Sequence, residues 1–242
     1  MGTVFSFTVR DPGPATADAL RRIVARLHHI DEVFSPYRPD SAISRLGRGE
    51  LSLTECDPEV AEVLAQCDAL AAETDGYFTA HPGGRLDPSG WVKGWAIEEA
   101  SRALRAAGST HHCVSGGGDV QTAGGPWRIG IADPHRPGTV LCVLTGHDLA
   151  VATSGTAERG AHIHDPHTGR PTTGYASLTL VGRHLARTDA HTTAAFAMGS
   201  PAGLTWAHHH ALAALAVHPD GTREQTPGLA HFREGVNPQG PG

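Results

Sequence analysis

"HHCVSGGGDVQTAGGPWRIGIADPHRPGTVLCVLT", residues 111–145, holds four short apolar runs parted by Gly and Pro turns. "HHCVS", "DVQT", "WRIGIA" and "TVLCVLT" each read as a strand, and "LAVAT" (149–153) and "YASLTLV" (175–181) extend the series. Helical patterns lie before and after this block, so strands and helices do not alternate strictly. The chain therefore reads as α+β rather than as a doubly wound parallel sheet: one compact unit over residues 1–242, with a mixed or antiparallel sheet and packed helices.

Working outward, "TVFSFTVR" alternates Phe5, Phe7 and Val9 with polar neighbours, as a half-buried strand does. From Thr16, the residues Leu20, Ile23, Val24, Leu27, Ile30 and Val33 recur at helical spacing. "FSPYRPDS" breaks that helix, and Asp40 or Ser41 can cap a short turn through Leu46. Asp57 followed by Pro58 is an N-cap before the favoured first helical residue. Another helix is expected from about Gly90 to Ala107. Beyond the strands, helices are expected from about Asp189 to Met198 and over 201–210, then a strand in "ALAALAV" and a loose tail from about Thr226.

A net charge of −6 without a basic run argues against nucleic acid as a partner. No apolar run approaches the ~20 residues of a membrane span. Cys56, Cys67, Cys113 and Cys142 show no CxxC spacing, which suits reduced thiols in a soluble, cytoplasmic protein. No signal-peptide pattern precedes "MGTVFSFTV".

Four stretches can carry chemistry. In "LDPSGWVKGWAIEEA" (86–100) stands Lys93, the single lysine of the chain, near the positive end of a helix dipole that disfavours it. Free N–H groups at such a helix start form an anion site, so a phosphate there would explain the lysine. Without one, removing Lys93 is expected to leave stability unchanged or slightly raised. "VSGGGDVQ" puts bare backbone at a strand end, either for close ligand approach or as a plain hairpin turn. "HIHDPHTGRP" groups His162, His164 and His167 with Asp165, but without the cysteine or glutamate that would complete a zinc site. Asp189 and Thr193 stand four residues apart, a spacing that suits Mg²⁺ on one helix face, unless Asp189 merely caps the helix.

These stretches, in this order, resemble the FAD:protein FMN transferase family, also called the ApbE family. The matching pieces are "MGT" (1–3), "FSPYRPDSAISRL" (34–46), "TDGYF" (74–78), "LDPSGWVKGWA" (86–96) and "GGGDV" (116–120). "IADP" (131–134), "ATSG" (152–155), "HIHDPHTGRP" (162–171) and "TDAHTTAAFAMG" (188–199) complete them. The resemblance implies a Mg²⁺-dependent enzyme that splits FAD, releases AMP and attaches FMN through its phosphate to a Thr or Ser of an acceptor protein, at a Thr-Gly-Ala-type site. It implies an FAD cleft between two lobes. Lys93 and Asp87 would hold FAD, with Met1, Tyr77 and Phe78 at the flavin. Tyr37, Thr79, Gly117, Gly118, Asp119, Ser154 and His164 would also line the FAD site. The metal would be held by the Gly90 carbonyl, Asp189 and Thr193, and His162 would assist catalysis. The chain departs from the family pattern in a short "TAHPGGR" before Leu86, Thr79 in place of an aspartate, no aromatic after "TSG", where Thr156 and Ala157 stand, and a short loop following it. Two further readings stay open, an FAD pyrophosphatase giving FMN and AMP, and a non-catalytic FAD-binding protein.

Overall fold

The computed structural model of the protein describes residues 3–156 and 163–233, so Met1, His162 and the last nine residues lie outside the described residues. The first half contains β1 (Phe5–Val9) and the helices α1 (Thr16–Phe34), α2 (Ala42–Gly47), α3 (Pro58–Glu73) and α4 (Ser89–Ala106). Six strands follow: β2 (His112–Gly116), β3 (Asp119–Ala123), β4 (Trp127–Ala132), β5 (Val140–Gly146), β6 (Ala150–Gly155) and β7 (Ser177–Gly182). Then come α5 (Leu185–Ala197), α6 (Ala202–His209), β8 (Ala213–Val217) and β9 (Arg223–Gln225).

Seven strands form one sheet in the order β1-β2-β3-β6-β7-β8-β9, with every neighbouring pair antiparallel. β4 and β5 leave it and pair as a separate antiparallel hairpin. The α+β architecture expected from the strand block is the one observed.

The central strands of the sheet are buried on both faces, and strand alternation decides which core each side chain enters. Ala150 and Ala152 of β6 join the helical core with Ile23, Ile30, Ile97 and Leu104. Val151 between them joins Ile131 and Leu144 of the β4–β5 hairpin on the opposite face. Coverage of both faces explains why β8, "AALAV", is a continuous apolar run rather than an alternating one.

Two sequence expectations change, and one strand carries no sequence signal. The helix placed from about Asp189 begins at Leu185, because its first N–H groups are capped by distant side chains. Gln121 Oε1 accepts from Leu185 N–H at 3.0 Å, and Glu98 Oε2 accepts from Ala186 N–H at 3.1 Å. The tail read as loose from Thr226 is packed at its start: Thr226 is buried, and Leu229, in a 3-10 turn, is fully buried against the hairpin side. β9, "REQ", is exposed throughout and carries no apolar signal.

Candidate active site

A cleft of about 1240 Å³ opens between the helical layer, the strand ends and the β4–β5 hairpin. Of the residues singled out from sequence, Tyr37, Tyr77, Phe78, Thr79, Asp87, Gly90, Lys93, Gly117, Gly118, Ser154, His164, Asp189 and Thr193 all line it. Asp119 lies beneath the lining and reaches it through Lys93. Met1 and His162 fall outside the described residues.

The helix start is built locally. Asp87 Oδ1 accepts from Ser89 N–H at 3.0 Å, holding the turn that enters α4. Gly90 follows, facing Phe78: a Cβ on Gly90 would meet Phe78 Cε2 at 3.2 Å. Lys93 is the fifth residue of α4 and stands in its second turn, a little farther from the helix end than the sequence suggested.

α4 crosses α5 at Gly94. A Cβ on Gly94 would lie 2.7 Å from Leu185 O, 2.9 Å from Asp189 Cβ and 3.1 Å from Ala186 Cα. The bare glycine brings the two backbones together and sets Lys93 beside Asp189. Asp189 is the fifth residue of α5 and does not cap it, so the plain capping role is excluded. Thr193 lies one turn on, along the same face.

The GGGD stretch is both a hairpin turn and a cleft wall. Gly116 pairs with Asp119 across β2 and β3, leaving Gly117 and Gly118 as the two turn residues. Their φ values of +56° and +85° are those of a type I′ hairpin, which glycine adopts without strain. The turn fixes Asp119, which is fully buried and accepts from Thr153 N–H of β6 at 3.0 Å.

At the cleft floor Lys93 Nζ stands 2.6 Å from Asp119 Oδ2 and 3.5 Å from Asp189 Oδ1. The cation disfavoured by the dipole is therefore compensated by two carboxylates even without a ligand, which reverses the expectation that its removal is harmless. Burial works against the Lys93 ammonium, but Asp189 and Asp119 outweigh it and hold its pKa above the ordinary lysine value. Burial pushes the Asp189 carboxyl above the usual carboxylate range, helped by the Asp119 charge and opposed by Lys93.

Asp189 Oδ2 is buried and makes no hydrogen bond among the described residues. A buried carboxylate oxygen left so is costly unless a cation meets it. With the Thr193 hydroxyl and the Gly90 backbone beside the same cleft, the donors are all oxygens, the set a hard divalent cation takes. Of the "HIHDPHTGRP" histidines, His164 lines the cleft, and His167 packs edge-on against Tyr77 at 4.6 Å between ring centroids.

Several contributors escaped sequence reasoning. Ile129 and Ile131 of the hairpin form a cleft wall, and Gln121 and Glu98 position α5. Gly94 had a visible signal: with Gly90 it makes a pair of small residues one turn apart, as at a close helix crossing.

The ApbE family model matches residues 1–81 and 79–216. An FAD:protein FMN transferase of Rhodobacter capsulatus is 32% identical over 224 residues, 86% of this chain but 40% of that protein. One of Vibrio cholerae is 25% identical over 292 residues, covering 93% of this chain and 87% of the other. Among solved structures, the flavin transferase ApbE from Vibrio cholerae superposes with a TM-score of 0.82 at 22% identity, over 96% of both chains. The ApbE protein of Thermotoga maritima gives 0.84, also at 22% identity and 96% of both chains. The fold is shared with both solved structures, and with the family match extending over most of its length, this chain belongs to the ApbE family.

Proposed function

We propose that this chain is a Mg²⁺-dependent FAD:protein FMN transferase, the activity for which its Rhodobacter capsulatus and Vibrio cholerae relatives are named. The observation that carries the reading is the Lys93–Asp119–Asp189 cluster at the cleft floor, open to a cleft larger than the ~300–1,000 Å³ of ordinary small-ligand pockets.

Asp189, Thr193 and the Gly90 carbonyl would hold Mg²⁺. When bound, the ion neutralises pyrophosphate oxygens and stabilises the charge that builds on the departing AMP. Lys93 binds the pyrophosphate between the FMN and AMP halves; the first-turn amides of Ser89, Trp91 and Val92, expected from sequence to be free for an anion, are already taken by Asp87 Oδ1 and the Pro88 carbonyl. Tyr77 and Phe78 flank the flavin side. The acceptor hydroxyl oxygen attacks the FMN phosphorus, the bond from that phosphorus to the oxygen shared with AMP breaks, and AMP leaves with that oxygen. His162 takes the hydroxyl proton, a task suited to a group that titrates near neutrality. The four free cysteines suit the reducing, cytoplasmic setting we assign. Among the described residues, no helix is long and apolar enough to cross a membrane.

Incubation with FAD, Mg²⁺ and an acceptor carrying a Thr-Gly-Ala-type site tests the reading. Mass spectrometry should find one FMN added per acceptor, with AMP released in equal amount. AMP formed at the same rate without acceptor would make the protein a pyrophosphatase. FAD bound but unchanged in every arm would make it a binding protein.

A further inference from the structure

At the cleft floor one ammonium faces two carboxylates that are not equivalent. Asp119 is pinned by the Gly117–Gly118 turn and by Thr153 N–H, and holds Lys93 at 2.6 Å. Asp189 stands farther from Lys93, at 3.5 Å, and its second oxygen makes no hydrogen bond among the described residues. Among the described residues lining the cleft, Lys93 is the one Lys or Arg.

On the reading of the preceding subsection, we propose that Asp119 is a positioning residue that draws Lys93 to itself and limits its hold on Asp189, so that Mg²⁺ and the pyrophosphate of the nucleotide each bind better in the presence of the other. A cation arriving alone finds its carboxylate next to an ammonium. A pyrophosphate arriving alone finds two carboxylates around the ammonium it needs. Arriving together, they complete an alternation of charge from Asp119 through Lys93, pyrophosphate and metal to Asp189. Such coupling is reciprocal by linkage.

The test is calorimetric titration with Mg²⁺ alone, with ADP alone in chelator, and with both. The solution Mg–ADP equilibrium is common to all variants and cancels between them. Asp119→Asn keeps an oxygen for Thr153 N–H but releases Lys93 toward Asp189. It should weaken Mg²⁺ binding and strengthen ADP binding, each by at least about fivefold, the effect of a unit charge about 4 Å away even at the screening of bulk water. Lys93→Gln should shift both in the opposite directions and gives an independent readout. In the Lys93→Gln background, the Asp119→Asn effect on Mg²⁺ should shrink, as a double-mutant cycle requires of coupled residues. If Asp119→Asn weakens both ligands alike, or acts on Mg²⁺ equally with and without Lys93, Asp119 is only structural and the inference fails while the functional reading stands. If the wild type binds neither Mg²⁺ nor ADP, that reading falls and the inference with it.

Discussion

A lysine near a helix N-terminus is disfavoured by roughly 0.3–1 kcal/mol, which taken alone predicts that trimming Lys93 is harmless. Its two carboxylate neighbours reverse the sign. Breaking a fully buried ion pair by removing one partner costs about 3–5 kcal/mol, and the loss here falls below that because a quarter of the Lys93 side chain is exposed. We expect Lys93→Ala to lower the urea midpoint of the ligand-free protein; an unchanged or higher midpoint would restore the dipole argument. The same variant should lose affinity for FAD and ADP but hardly for riboflavin, which has no phosphate. Asp189→Ala should abolish FMN transfer at ordinary Mg²⁺, since it removes the strongest oxygen donor. Thr193→Ala should weaken Mg²⁺ binding less, because water can stand in for a neutral hydroxyl. Normal FMN incorporation by the Asp189 variant, read by mass spectrometry of the acceptor, would remove Asp189 from the metal site.

Elements whose signals are local were legible in the sequence. Asp57 accepts from Glu59 N–H and starts α3, and Ser41 accepts from Ser44 N–H and starts α2, both where the caps stand in the chain. The start of α5 was not legible, because its caps come from Gln121 and Glu98, which are 64 and 88 residues away from the amides they cap. For the same reason the individual site residues could be picked out while the pairing of Lys93 with Asp119 could not, since it joins two stretches that only the fold brings together. Gly94 is the hinge of that arrangement. Replacing it with Ala gains up to about 1 kcal/mol of helix propensity, but forcing a methyl into a packed contact costs about 1–3 kcal/mol. The nearest atom is a backbone oxygen at 2.7 Å, which cannot swing aside as a side chain can. Gly94→Ala should therefore lower the thermal midpoint and weaken Mg²⁺ binding together, by moving Asp189 and Thr193 of α5 away from the Gly90 carbonyl of α4. Gly13→Ala, where a Cβ meets nothing within 4 Å, is the control. A Gly94 variant as stable as wild type with unchanged Mg²⁺ affinity would show that the crossing tolerates a methyl.

Across the whole molecule, helices cover one face of the sheet and the β4–β5 hairpin the other, and the polar groups caught between layers set the response to acid. His112 of β2 is fully buried, with Nε2 2.9 Å from Ser101 Oγ of α4 and Nδ1 3.0 Å from Ser109 Oγ. Ser109 donates its own proton to Asp11 Oδ1 at 2.7 Å, so Nδ1–H must donate to Ser109 and Nε2 is left to accept from Ser101. A second proton on Nε2 would set two donors face to face. Burial lowers the His112 pKa, the Arg105 charge adds to it, and Asp11 and Asp148 only partly oppose them. His191, against Glu73 and Trp206, is likewise lowered by burial. With folded pKa values below the unfolded value of about 6.5, the unfolded chain binds more protons than the native protein in that interval. The contribution of these two histidines to stability must then rise with pH up to about 6.5 and level off above it. The urea midpoint should accordingly fall as the pH is taken from about 7 through 6 and below, and His112→Gln should make that fall shallower whatever it does to the midpoint at pH 7. An acid slope identical in wild type and His112→Gln would mean that His112 takes up its proton as easily in the folded protein as in the unfolded chain, and that the Ser101–His112–Ser109–Asp11 chain does not hold it neutral.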